Sequence, residues 1–417
     1  MNSAPVGPAA ATASTRSPFA ILLDPALLLI LGLGLYLRWQ YIDLPMAEAH
    51  RWREVTNADI ARQFYERSMN FFWPQVNWGG ATDPYVGMEF PLMHWIVALL
   101  YSVWGEQTVF GRYVSIAFSL WTVAGTYALG RRLFGAPVGR AAAFLMAISP
   151  SSVFFGRFFI SDTPMVTFSV LAVLGWVVYF ETGRTRSAVW ASIATALACL
   201  VKIPALMIMA PIAWVAWERK RWRALTDRGF MIGSIAAVLA AAAWYWHADR
   251  IYHTTGLSEA IWHPSGNYGP PISLAAGPFE TIYHWSTREQ FFDGAFWQQM
   301  VTRIWALHLT PAGFVLGLFG LLTTWRRPHR RVLDAWIGVV FLFIFVTIEG
   351  NKNHEFHQLP LIPPAALCFG LAAAPAFDGR WLRDNGGLVF GGLGSAATLL
   401  IVALLSFQYS GVVQTLY

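Results

Sequence analysis

Charge is what this sequence has least of. Asp, Glu, Lys and Arg make up 12% of its 417 residues, against roughly a quarter in soluble domains, so most of its surface is not meant for water. The formal charge is +6, but the cations stand in short groups between apolar runs and not on one basic face, which excludes nucleic acid as a partner. Cysteine is scarcer still: Cys199 and Cys368 both fall inside apolar runs and offer neither a disulfide framework nor a thiolate metal site. No internal repeat supports an inverted-repeat transporter. Residues 1–18 are Ala-, Pro-, Ser- and Thr-rich with Arg16 their one cation, and read as a disordered cytoplasmic tail.

Apolar runs are plentiful, at 56% hydrophobic residues with 16% aromatic. A helix needs about 20 such residues to cross roughly 30 Å of hydrocarbon. Runs at 19–37, 113–130, 139–155, 163–180, 187–201, 203–217, 230–246, 305–325, 332–348, 359–377 and 388–407 predict about eleven spans. The run 92–104 is short, follows Pro91 and lies between Glu89 and Glu106. If it stays on one face, Arg131/Arg132/Arg140, Arg184/Arg186, the group from Arg219 to Arg228, Arg326/Arg327/Arg330/Arg331 and Arg380/Arg383 all share a side with Arg16, as the positive-inside rule asks. If it crosses, every later loop violates the rule. The sequence therefore predicts an all-α polytopic membrane protein, one domain over 19–417, with a long first extracytoplasmic loop carrying interfacial helices at about 55–65 and 92–104.

An ionisable group at membrane depth costs about 2.5 to 3.5 kcal/mol and needs a partner or a use. On this topology Arg157, Asp162, Lys202 and Lys352 sit at outward helix ends, and Glu89 stands at the start of the second interfacial helix. A carboxylate that accepts a nucleophile's proton, beside cations that stabilise a departing phosphate, is what group transfer from a phosphate carrier requires.

The motifs around these residues carry a resemblance. Met88-Glu89-Phe90-Pro91-Leu92 with Trp95, then Ser149-Pro150, Gly156-Arg157 and Asp162, then Lys202-Ile203-Pro204, then His354 to Pro360, follow in order at matching topological positions. Together they resemble the GT-C membrane glycosyltransferases, in the branch holding the protein O-mannosyltransferases and the lipid A aminoarabinose transferases, from about Arg38 to about Gly379. The resemblance implies a polyprenyl-phosphate sugar donor, a lipid, glycan or protein acceptor, no cofactor, and a site on the extracytoplasmic face of a bacterial plasma membrane. It carries over Glu89 but not the lysine that follows it in the family, which is Phe90 here. The family's first-loop Asp-Glu pair falls on Arg53-Glu54, so the favoured catalytic Asp is missing. Glu54, Glu48, Asp59 and Asp162 remain as candidate bases, with Arg157, Lys202 and Lys352 for the donor phosphate. His50, Arg53, His354 and His357 are further polar candidates.

Blander roles compete. Asp162, between Ser161 and Thr163-Pro164, also fits a helix N-cap. Lys202 and Lys352 also fit snorkelling side chains, and Glu89 an anchor for its helix. His354 and His357 are three apart but lack the His-Glu-x-x-His spacing and a third ligand, so no metal is expected. A flippase for lipid-linked sugar would share a cationic outer cavity, yet the helix interiors lack a charged path; a non-catalytic scaffold is the third alternative.

Overall fold

Pro and Gly decide where the apolar runs break. The computed structural model describes residues 24–46, 48–259 and 289–378; the expected tail, the start of the first run, much of the second long loop and the run at 388–407 lie outside the described residues. Helix α1 (Pro25–Trp39) starts with Pro in its first turn, and the Asp24 carboxylate accepts from the Ala26 N–H at 3.1 Å, satisfying one of the open N–H groups of a helix start. The first loop then holds α2 (Arg51–Glu66) and α3 (Leu92–Trp104). At 13 residues, α3 is about 20 Å long, too short to cross, and it lies against α2 and the next helix.

That helix, α4 (Val109–Phe134), is followed by α5 (Ala136–Ile148), α6 (Pro150–Arg157), α7 (Asp162–Thr182), α8 (Thr185–Val201), α9 (Met209–Lys220) and α10 (Arg228–Thr255). The described C-terminal part adds α11 (Gly294–Thr302), α12 (Pro311–Thr323), α13 (Arg330–Val346), α14 (Ile348–Asn353) and α15 (Ile362–Ala373). Two isolated backbone bridges, Gln75 with Tyr85 and Gly87 with Ser258, are all the extended pairing among the described residues.

By length and composition three helical stretches can cross a membrane, Asp162–Thr182, Arg228–Thr255 and Glu355–Phe377, or five if two bent pairs each count as one. Other expected runs form shorter helices, 15 residues in α1 and 17 over Thr185–Val201, and two are not one straight helix. The run 139–155 is α5 and α6, bent by 62° at Ser149-Pro150, and the run 305–325 passes from a π-helical turn (Arg303–His308) into α12 through a 103° bend. The run 203–217 begins as a 3-10 turn, Ile203–Ile208, before α9.

The α5–α6 bend is fastened by a cation. Pro150 has no N–H to give the Met146 carbonyl, and the fully buried Arg38 takes its place, donating to the carbonyls of Met146 at 3.3 Å and Ala147 at 2.9 Å and to Ser119 Oγ at 2.7 Å. Arg38 also donates to the Ser152 hydroxyl at 2.8 Å. Gly156 makes room for this arrangement, since a Cβ there would lie 2.7 Å from Arg38 Nε.

Small residues let other helices touch backbone to backbone, as membrane bundles favour. A Cβ on Gly320 of α12 would lie 2.0 Å from the Cys368 carbonyl of α15. Gly320→Ala should therefore force α12 off α15 and lower stability by about 1 to 3 kcal/mol, seen as earlier thermal unfolding in detergent; an unchanged melting curve would show that the two helices do not pack this closely.

The two ends of the bundle differ in chemistry. At one end Glu181 bridges Arg132 and Arg219, and Asp24 holds Arg140 at 2.9 Å. The other end gathers Arg112, Arg157, Asp162 and Lys202 from the starts and ends of α4, α6, α7 and α8.

Candidate functional site

Each of those four side chains sits where its helix begins or stops. Pro204 helps end the helical run after α8, and Lys202 adopts an extended backbone (φ −160°, ψ 127°) just past it. Its ammonium meets Asp162 Oδ2 at 2.5 Å and lies 5.1 Å from the centre of the Phe356 ring. Asp162 is the first residue of α7, not its cap: Ser161 holds the cap position and makes no side-chain capping bond. The second carboxylate oxygen, Oδ1, is buried and has no hydrogen-bond partner among the described residues. Asp162 thus carries one oxygen committed to a cation and one uncommitted.

Glu89 joins this pair from the first loop. Its segment is pinned on both sides: Phe90 N–H donates to the Leu200 carbonyl at 3.1 Å, Trp244 Nε1 to the Met88 carbonyl at 3.1 Å, and Glu259 N–H to the Gly87 carbonyl at 2.9 Å. The carboxylate is buried, and burial raises its pKa above the ordinary 4.5, against the opposing fields of Lys202 and Arg53 and with a smaller push from Asp162. A raised carboxylate pKa means the ionised form is the one the fold disfavours, so this contribution to stability is complete below about pH 4.5 and is lost as pH rises through the folded-state value. Glu89→Gln should accordingly melt above the wild type at neutral pH, with the gap closing on acidification below about pH 4.5. A gap independent of pH would show that ionisation of Glu89 is not its source.

A second cluster lies under the start of the first loop. Arg157, at the end of α6, donates from Nη1 to Glu48 Oε2 at 2.7 Å and from Nη2 to Glu48 Oε1 at 2.5 Å. Arg112 grips Glu54 of α2 by two bonds of 2.9 Å and ties down the carbonyls of Ile42 at 2.8 Å and Leu44 at 2.7 Å. Nη2, one of the two nitrogens on Glu54, also reaches Glu48 at 3.5 Å, linking the two pairs. Asn57, one turn along α2, donates to the Phe159 carbonyl between α6 and α7 at 2.6 Å, while its carbonyl oxygen meets His94 of α3 at 3.0 Å.

The remaining candidates fall on the rim or away from it. His50 starts α2 in the left-handed region (φ 59°), with Nε2 3.0 Å from Glu355, which Arg303 approaches at 3.6 Å. Arg53 lies over the Trp52 ring and pairs with Glu259 at 3.1 Å. His354 stacks on Phe356 with ring centres 5.0 Å apart, and His357 is buried beside them. Asp59 is occupied with the Asn77 N–H at 2.9 Å and Gln63 at 3.0 Å. Lys352 is exposed on α14, its carbonyl accepting from Arg303 at 3.1 Å. Glu54, fully buried and held twice by Arg112, has no oxygen left to face a substrate. No group of three His, Cys, Asp or Glu side chains among the described residues is disposed to hold a metal.

Sequence reasoning missed Arg112, Arg38, Glu259 and Arg303. Arg112 and Arg38 each border an apolar run, where a cation looks like an ordinary flank. The available signal was position: on the predicted topology both sit at outward ends, which the positive-inside rule leaves sparse in cations.

The fold defined by these helices is that of the GT-C membrane glycosyltransferases. A family model described as dolichyl-phosphate-mannose-protein mannosyltransferase matches residues 87–246, a stretch that holds Glu89, Arg112, Arg157, Asp162 and Lys202. Among solved structures, the chain is similar to ArnT from Cupriavidus metallidurans bound to undecaprenyl phosphate, with TM-score 0.62 and 14% identity over 92% of this chain and 76% of that one. It is similar also to the archaeal oligosaccharyltransferase AglB from Archaeoglobus fulgidus in complex with an inhibitory peptide and a dolichol-phosphate, with TM-score 0.58 and 14% identity over 92% of this chain and 54% of that one. An uncharacterized protein of Aquifex aeolicus (strain VF5) is 27% identical over 294 residues, 66% of this chain and 51% of that protein. The chain thus spans about half the length of the curated relative it matches.

Proposed function

We propose that this chain is a membrane glycosyltransferase that takes a sugar from a polyprenyl-phosphate carrier and passes it, with inversion, to an extracytoplasmic lipid, glycan or protein acceptor. The observation that carries this reading is the convergence of a half-committed carboxylate, Asp162, with Lys202, Glu89 and Arg157 at one end of a GT-C bundle. The acceptor oxygen attacks the anomeric carbon, the bond from that carbon to the phosphate oxygen breaks, and the phosphate leaves with the electron pair. Asp162 takes the acceptor's proton on its open oxygen, as general base. Lys202 and Arg157 meet the negative charge that builds on the phosphate, and Glu89 orients the sugar or the acceptor. Lys352, exposed on α14, receives no role.

The setting that goes with this chemistry is a bacterial plasma membrane, crossed about eleven times, with the site outside the cytoplasm. Support comes from the crowding of cations at the end opposite Asp162, where Arg131 and Arg132 close α4 and Arg219 and Lys220 close α9. The test is to place the purified full chain in nanodiscs with undecaprenyl-phosphate-linked sugars and follow release of undecaprenyl phosphate and the anomeric configuration of the product. Retention of configuration would remove the inverting step, and movement of intact carrier between leaflets without cleavage would replace transfer with transport.

A further inference from the structure

The cation assigned to the donor phosphate is already occupied. Both terminal nitrogens of Arg157 donate to the two oxygens of one carboxylate, Glu48, and the Arg157 side chain is 2% exposed. A phosphate cannot reach this guanidinium past Glu48; the two anions want the same fork, which binds a carboxylate and two free oxygens of a phosphate ester in the same two-pronged manner. We propose that Glu48 is an internal stand-in for the carrier's phosphate group: it fills the anion site of Arg157, and the ligand's phosphate binds there by displacing it.

Three features make Glu48 and not Asp162 the displaceable anion. Glu48 is the more accessible carboxylate, 11% exposed against 3% for Asp162. It comes from a stretch of turns between α1 and α2, while Asp162 is built into the first turn of α7. And its departure strands no other cation, because Arg112, the only other cation near it among the described residues, keeps two bonds to Glu54 and two to carbonyls. The swap therefore trades one anion for another at Arg157 and leaves the neighbouring pair whole. Binding measured on the wild type then includes the cost of evicting Glu48, since apparent affinity falls with the fraction of sites that are open.

This inference rests on the reading of Arg157 as a phosphate ligand, and the experiment separates the two. Wild type, Glu48→Gln and Arg157→Gln are purified as full chains and titrated with inorganic phosphate and, separately, with farnesyl phosphate in nanodiscs, following binding and the shift in melting temperature. Glu48→Gln keeps a carbonyl oxygen for Arg157 and loses the competing charge, so it should bind about tenfold more tightly than the wild type, and Arg157→Gln should lose binding. A gain with both probes marks the phosphate group as the ligand, and a gain with farnesyl phosphate alone marks the lipid carrier. An affinity unchanged or weakened by Glu48→Gln in a chain that still melts cooperatively would overturn the stand-in, whatever its transferase activity. Tighter binding by Glu48→Gln without sugar transfer by the wild type would leave the stand-in and remove the enzymatic reading.

Discussion

Purified Asp162→Asn protein should fold and bind carrier yet turn over roughly a thousandfold more slowly than the wild type, because it lacks the general base proposed for the acceptor's proton. Asparagine keeps the shape and an oxygen for Lys202 but cannot accept a proton at neutral pH. Loss of the charge also leaves the buried Lys202 ammonium without a compensating anion at its 2.5 Å contact, so a stability change is expected alongside, and Asp162→Glu provides the control that restores charge at the cost of one methylene. Recovery of part of the rate by Glu with none by Asn would locate the effect in the proton transfer. Wild-type turnover by a folded Asn variant would take Asp162 out of the mechanism and turn attention to Glu89.

The largest stability effect is expected at Arg112. Its partner Glu54 is fully buried and has two bonds, both to this guanidinium. Removing one partner of a buried pair leaves an uncompensated charge, and costs about 3 to 5 kcal/mol. Arg112→Met should therefore unfold far more readily in denaturant titrations. The double variant Arg112→Met with Glu54→Gln should recover most of the loss, because the stranded charge is gone. If the double variant is no better than the single one, the cost lies in the carbonyls of Ile42 and Leu44 that Arg112 also ties down, and the first-loop turn is what it holds.

Much of the architecture could be read before any coordinates, for reasons that differ by residue. The short helix at 92–104 was legible because Pro91 and the flanking acids bound it, and α3 keeps those limits. The helix expected at 55–65 extends four residues earlier, to Arg51, since His50 enters it from a left-handed turn that no pattern in the sequence marks. Glu89, Asp162 and Lys202 were legible as candidates because a charged residue at an apolar helix end is costly enough to stand out; Lys202 pairs with Asp162, and Glu89 is buried within the field of both. Pairing was not legible. Nothing along the chain says that Arg157 faces Glu48 while Arg112 faces Glu54, because those matches cross 109 and 58 residues of sequence. Nor were the bends inside the runs 139–155 and 305–325, since hydropathy measures how apolar a run is and not whether a proline will fold it in two.

The elbow between α5 and α6 differs in kind from the cluster around Asp162. In the cluster, Arg157 and Lys202 are held by carboxylates, whereas Arg38 leans on peptide carbonyls and hydroxyls. A carboxylate can give way to another anion, whereas a peptide carbonyl has no charge to trade. The charged pairs can thus be exchanged by an incoming anion while the joint that aims α6 at them stays locked.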